Sequence, residues 1–69
     1  MEDVEAIREA SRRIRAAVAV SGRTATAQAK AVLDIADKLD IWAGAPDPGH
    51  AFYRRAVAGA RALLGEGPE

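Results

Sequence analysis

The residues of this chain that could take part in chemistry are few, and their spacing does not build an active site. The chain has no cysteine and a single histidine, His50. A nucleophile or a metal centre needs several such groups in a fixed arrangement, and His50 has no suitably spaced cysteine, serine or carboxylate. No HExxH, GxSxG or phosphate-binding glycine pattern occurs either. The sequence therefore predicts a protein that is not an enzyme and that uses no metal, cofactor or small-molecule substrate.

Three aspartates in the middle of the chain, Asp34, Asp37 and Asp40, could suggest a cation site. On a helix, their spacing distributes the carboxylates over more than a third of the circumference, at about 100° per residue. Lys30 and Lys38 lie four residues either side of Asp34, the distance at which opposite charges pair on a helix. We expect a solvated, ion-paired helix face here.

A basic stripe near the carboxyl end is the charge that the sequence explains least. His50, Arg54 and Arg61 are spaced to lie along one side of a helix, with Arg55 beside them. No acidic residue occurs within that helix. The stripe either pairs with the acidic second helix, in the same chain or a neighbouring one, or contacts nucleic acid or an acidic partner.

The positions of the apolar residues and helix breakers predict an all-α, three-helix domain that occupies residues 1–69. An antiparallel helical hairpin is expected at about 3–20 and 24–43, followed by a third helix at about 48–64. A single helix with a kink across the first two segments is the alternative.

Capping residues mark the ends of these helices. Gly22 and Gly44 can adopt the left-handed conformation that often follows a helix. Thr24 is a candidate N-cap for the second helix. For the third helix, Asp47 can cap the first turn while Pro48 occupies the first helical position, where no N–H donor is needed.

Apolar residues repeat every three or four positions in both helices of the hairpin, as expected for helices that pack along a straight line. In the first helix they are Val4, Ile7, Ser11, Ile14, Val18 and Ser21. In the second they are Ala25, Gln28, Val32, Ile35, Leu39 and Trp42. Ser11 and Gln28 interrupt these two lines with polar groups.

The third helix has an apolar face that is wider than one packing contact needs. Gly49, Ala56 and Ala60 lie along its middle, where small side chains let another helix approach. Either chain ends cover this face, or a partner buries it. On the second interpretation, the expected partner contacts are Phe52, Tyr53, Val57, Leu64 and Ile41.

Short segments resemble parts of known families. Residues 35–41, IADKLDI, resemble the opening of a helix-turn-helix, and residues 52–55, FYRR, are similar to its recognition helix. The resemblance implies that the two arginines of FYRR enter the major groove of DNA. In that family a tight turn joins the helices, whereas residues 42–48 lengthen the connection here. Residues 52–65 also resemble the second helix of a tetratricopeptide repeat.

Charge and hydropathy indicate where the protein acts. Ten basic side chains balance ten acidic ones, whereas a generic polyanion binder normally has a basic excess. The first ten residues lack the apolar core of a signal peptide, and no run approaches the ~20 apolar residues of a membrane span. We therefore expect a cytoplasmic protein that does not act at a membrane.

These observations favour a non-catalytic module for protein–protein association. We expect a homo-oligomer, with a larger protein as the other candidate partner, and periodicity does not decide between a dimer and a higher oligomer. The alternative is a small DNA-associated regulator, such as a repressor or an antitoxin-like protein, that binds nucleic acid through the basic stripe.

Overall fold

The computed structural model describes residues 2–22 and 26–65, and within these ranges the chain forms three helices and no strand. Helix α1 spans Asp3–Ser21, α2 spans Ala27–Gly44 and α3 spans Ala51–Leu63. The predicted all-α, three-helix fold is confirmed, and α1 and α2 are separate helices.

Helix α1 ends where the sequence predicts. Gly22 has φ 67°, a left-handed conformation that glycine adopts without a steric penalty. Its backbone N–H points back to the carbonyl oxygens of Val18 and Ala19. At the other end, Asp3 and Glu5 lie in the first turn, where carboxylates interact favourably with the helix dipole.

Helix α2 is capped at both ends by residues other than those predicted. The hydroxyl of Thr26 accepts the N–H of Ala29 at 3.0 Å, and Thr24 lies outside the described residues. Gly44 is the last helical residue, and it does not adopt a left-handed conformation. Instead, Ala45 follows with φ −138° and donates its N–H to the last turn of the helix. The predicted role of Gly44 was therefore wrong.

The prediction that α3 starts at Asp47 and Pro48 was also wrong, because these residues form a turn. The N–H of His50 donates to the carbonyl oxygen of Asp47 at 2.9 Å, which closes a four-residue turn around Pro48 and Gly49. Proline and glycine at the two central positions favour such a turn over a helix. His50 is extended, at φ −89° and ψ 130°, and the helix begins after it, at Ala51.

The core lies mainly between α1 and α2, which pack closely, while α3 packs against α1 and contacts α2 much less. Small side chains dominate this core and allow close approach of the helices. Its buried residues are Ile7, Ala10, Leu39, Ala43, Tyr53 and Ala60. The buried Ser11 hydroxyl donates to the carbonyl oxygen of Ala36 at 3.3 Å, which links α1 to α2.

The buried face of α2 differs from the predicted one. Its buried residues are Ala29, Ala36, Leu39 and Ala43. Ala29, Ala36 and Ala43 each lie one position after a residue that was expected to be buried. The helix is therefore rotated relative to the prediction, and alanines face α1. As a consequence, Ile35 is 52% exposed and Gln28 is also exposed.

Candidate protein interface

His50 is a structural residue of the turn that precedes α3. Its Nδ1 accepts the backbone N–H of Phe52 at 3.1 Å, so the imidazole caps the first turn of the helix. The ring also lies 5.1 Å from the Trp42 ring and 5.4 Å from the Phe52 ring, measured between centroids. Sequence reasoning missed this role because histidine is not among the usual N-cap residues.

Replacing His50 by alanine should remove this cap. We expect a loss of about 0.5–2 kcal/mol in the free energy of unfolding, the usual effect of deleting an N-cap acceptor. His50→Asn is the matched control, because the asparagine side chain is a good N-cap acceptor and should retain most of the stability. Urea denaturation followed by circular dichroism measures both variants, and equal losses would show that the cap contributes little.

Arg54 and Arg61, the arginines of the predicted basic stripe, contact groups within the chain. Arg54 Nη1 donates to the carbonyl oxygens of Pro48 and Gly49 at 3.5 and 3.4 Å, which connects α3 to its preceding turn. Arg61 Nη2 lies 2.7 Å from Asp3 Oδ1, so the end of α3 is joined to the start of α1. Within the described residues, Arg61 therefore pairs with an acidic residue of α1, whereas the first interpretation of the stripe expected α2.

The acidic residues of α2 pair with a different arginine. Arg15 of α1 lies 2.6 Å from Asp37 and 2.8 Å from Asp40. On the helix surface, Lys38 and Asp34 form the predicted pair at 3.1 Å. The described residues contain no cluster of acidic, histidine or cysteine side chains that could hold a metal ion. This face of α2 is ion-paired, as predicted.

Arg55 occupies a different environment from the other two arginines. Its guanidinium carbon lies 5.8 Å from the centre of the Phe52 ring, within the range of a cation–π contact. His50, Arg54, Arg55 and Arg61 thus have four different surroundings. Each of the four side chains makes a different contact, so they do not form one uniform basic surface.

Several residues predicted to contact a partner contribute to the fold itself. Tyr53 is 3% exposed and packs edge-on against Trp42, with 6.1 Å between the ring centroids. Val57 is half-buried against the core, and Leu64 is half-buried as well. Tyr53 is therefore a core residue and not a surface contact, because its side of α3 packs into the core. A charged residue substituted for Val57 would disturb the core of the fold, so such a variant does not test an interface.

Two predicted contacts are well exposed, and three further large apolar residues are exposed with them, of which Val20, at 88%, lies near the end of α1. Ile41 is 67% exposed and Phe52 58% exposed. Sequence reasoning did not select Ile35 and Leu63, which are 52% and 51% exposed. Ile35 was missed because it was assigned to the hairpin core. Leu63 could have been identified, because its spacing from Phe52 through residues 56 and 59 places both on one side of the helix.

We call the line formed by Phe52, Ala56, Gly59 and Leu63 the outer seam of α3. Its four residues are spaced four, three and four positions apart, so they share one side of the helix. Phe52, Gly59 and Leu63 are exposed, and Ala56 is half-buried. A Cβ atom added at Gly59 would meet nothing within 4 Å. The middle of the seam is therefore open to another helix.

An apolar groove of about 460 Å³ continues from the end of the outer seam. It lies between the second half of α1 and the first half of α2, with Leu63 at its border. Its apolar lining consists of Ile14, Ala17, Val18, Ala29, Val32 and Leu63. Leu63, the last residue of α3, is the only residue of that helix in the lining of the groove.

Within residues 2–22 and 26–65, these features define a small three-helix protein with an apolar groove between α1 and α2 and exposed apolar residues along one edge of α3. No helix in the described part of the chain combines the length and the hydropathy that crossing a membrane requires. No protein-family model matches the sequence, and neither a characterised protein nor a solved structure shows a significant match.

Proposed function

We propose that this protein is a non-catalytic association module that assembles with copies of itself through apolar helix surfaces. The observation that carries the proposal is the apolar surface formed by the outer seam and the groove, which meet at Leu63. Covering a large apolar side chain stabilises a complex by about 1.5–3 kcal/mol when burial is complete. Phe52 and Leu63 are already about half buried in the single chain, at 58% and 51% exposed, so covering the rest supplies roughly half of that amount for each.

The charge distribution favours self-association over nucleic-acid binding. The formal net charge is zero, so copies of the chain do not repel one another through net charge. Arg54 and Arg61 donate to groups within their own chain, and a phosphate would have to compete with these contacts. An apolar contact between proteins does not have to displace these hydrogen bonds.

Light scattering tests the proposal directly. We expect a mass about twice the 7.3 kDa of the chain, unchanged between low and moderate salt and unchanged by random duplex DNA. Apolar contacts are insensitive to moderate salt, whereas phosphate contacts weaken steeply as salt rises. A monomer in every condition would contradict the proposal. A heavier, salt-labile species that forms only with DNA would instead support a DNA-associated regulator.

A further inference from the structure

The imidazole of His50 can cap α3 only in its neutral form. Its Nδ1 accepts the backbone N–H of Phe52 at 3.1 Å, and an imidazole nitrogen accepts a hydrogen bond only when it carries no proton. In the imidazolium both ring nitrogens are donors, so the Nδ1–H and the N–H of Phe52 would face each other. The side chain that precedes α3 therefore supplies its cap in one of its two charge states.

The other charges at the start of α3 disfavour an imidazolium in the capping position. The first turn of the helix contains no acidic residue, and a helix begins with the positive end of its dipole. The guanidinium of Arg54 donates to the carbonyl oxygens of Pro48 and Gly49, within the same turn. The guanidinium of Arg55 lies over the Phe52 ring. A protonated His50 would add another cation to this end of the helix.

Two neighbours can receive the imidazolium once it has turned away from the cap. Asp47, the nearest acidic residue in the sequence, lies in the turn before α3. From α2, the Trp42 ring lies 5.1 Å from the His50 ring, and indole attracts a cation over its face. Asp40, the acidic residue of α2 closest to Trp42 in the sequence, pairs with Arg15. Within residues 2–22 and 26–65, no ion pair involves His50.

We propose that His50 is a pH-sensitive cap, which holds the first turn of α3 at neutral pH and releases it in mild acid. Histidine is the side chain whose charge ordinarily changes between about pH 5 and 8. The cap stabilises the helix while the imidazole is neutral. Its contribution is therefore present at the upper end of this range and is lost as the pH falls.

The release of this turn reaches the contact between α2 and α3. Helix α3 contacts α2 much less than it contacts α1. Trp42 of α2 contacts both His50 and Tyr53 at the start of α3. Tyr53 lies in the turn that His50 caps and is buried in the core. The charge of one exposed imidazole thus affects the packing of a buried ring.

Solvent exchange of the backbone amides, followed by NMR from about pH 8 to about pH 5, tests the proposal on the natural chain. The protection factor of the Phe52 amide corrects for the intrinsic effect of pH on exchange. It should fall by about two- to thirty-fold in acid, which is the range that the loss of an N-cap acceptor corresponds to. The carbon-bound protons of the imidazole report the charge of His50 in the same sample, and both changes should have the same midpoint.

Two variants separate the imidazole from the carboxylates around it. His50→Asn retains an N-cap acceptor that does not titrate, so the protection of the Phe52 amide should stay constant across the same pH range. Asp47→Asn removes the carboxylate of the turn and should leave the fall in protection in place.

Three results would overturn the pH-sensitive cap. The first is a constant protection of the Phe52 amide while the His50 resonances titrate. The second is a fall in His50→Asn as large as that in the natural chain, and the third is the loss of the fall in Asp47→Asn. None of these results bears on self-association, which light scattering tests separately.

Discussion

Replacing Ile7 by alanine is expected to unfold most of the protein at ambient temperature. Ile7 is fully buried where the three helices meet. Truncating a buried isoleucine to alanine usually costs about 2–5 kcal/mol, because transfer energy is lost and a cavity remains. A core of this size rarely supplies more than about 3–5 kcal/mol of net stability. One substitution can therefore remove nearly all of it.

The matched control for this prediction is Ile41→Ala, the same chemical change at a residue that is 67% exposed. Its cost should stay below about 1 kcal/mol, since little apolar contact is lost at an exposed position. Thermal unfolding followed by circular dichroism compares the two variants. Equal losses of stability would mean that the arrangement of three helices around Ile7 is wrong.

The sequence was sufficient to predict that there are three helices and approximately where they lie. Periodic apolar residues and Gly22 located the hairpin, because these signals act within one or two helical turns. The start of α3 was misplaced because Asp47 and Pro48 favour both a helix start and a tight turn. The following Gly49 completes the turn, and the imidazole of His50 then provides the cap.

The orientation of α2 could not be predicted from its own residues. Alanine occurs on several sides of this helix, so rotating it by a fraction of a turn leaves an acceptable core. The hydrogen bond from the Ser11 hydroxyl to the carbonyl oxygen of Ala36 is made in the observed orientation of α2. Since that contact joins residues 25 positions apart, local periodicity holds no information about it. Ile35 was assigned to the core for this reason.

The candidate surface was predicted only in part, for the same physical reason. Phe52 and Ile41 were selected correctly as exposed apolar residues, but the same reasoning selected the buried Tyr53. Which side of α3 faces α1 depends on tertiary contacts such as the pair of Arg61 and Asp3, which are 58 positions apart. The groove is lined by residues of α1, α2 and α3 that are far apart in the sequence, so local periodicity does not reveal it.

Replacing Gly59 by glutamate is expected to change association and stability in opposite directions. In the single chain, position 59 is open, so the new side chain meets no steric obstacle. Glycine inside a helix is less favourable than glutamate by up to about 1 kcal/mol, so the variant helix should be slightly more stable. In the dimer, however, the larger side chain would separate the two helices, and its carboxylate would be removed from water even where Arg55, one turn earlier, pairs with it.

The cost of that buried charge decides the outcome for association. Removing a charge from water at an interface costs several kcal/mol even when it is paired, so we expect the dissociation constant to rise by about 100-fold or more. Ala58→Glu adds the same charge on the other side of α3 and should leave the dimer intact. Sedimentation equilibrium measures the association, and urea denaturation measures the stability. A Gly59→Glu variant that still dimerises would exclude the outer seam from the interface, whereas one that unfolds would show that α3 needs a glycine there for its own packing.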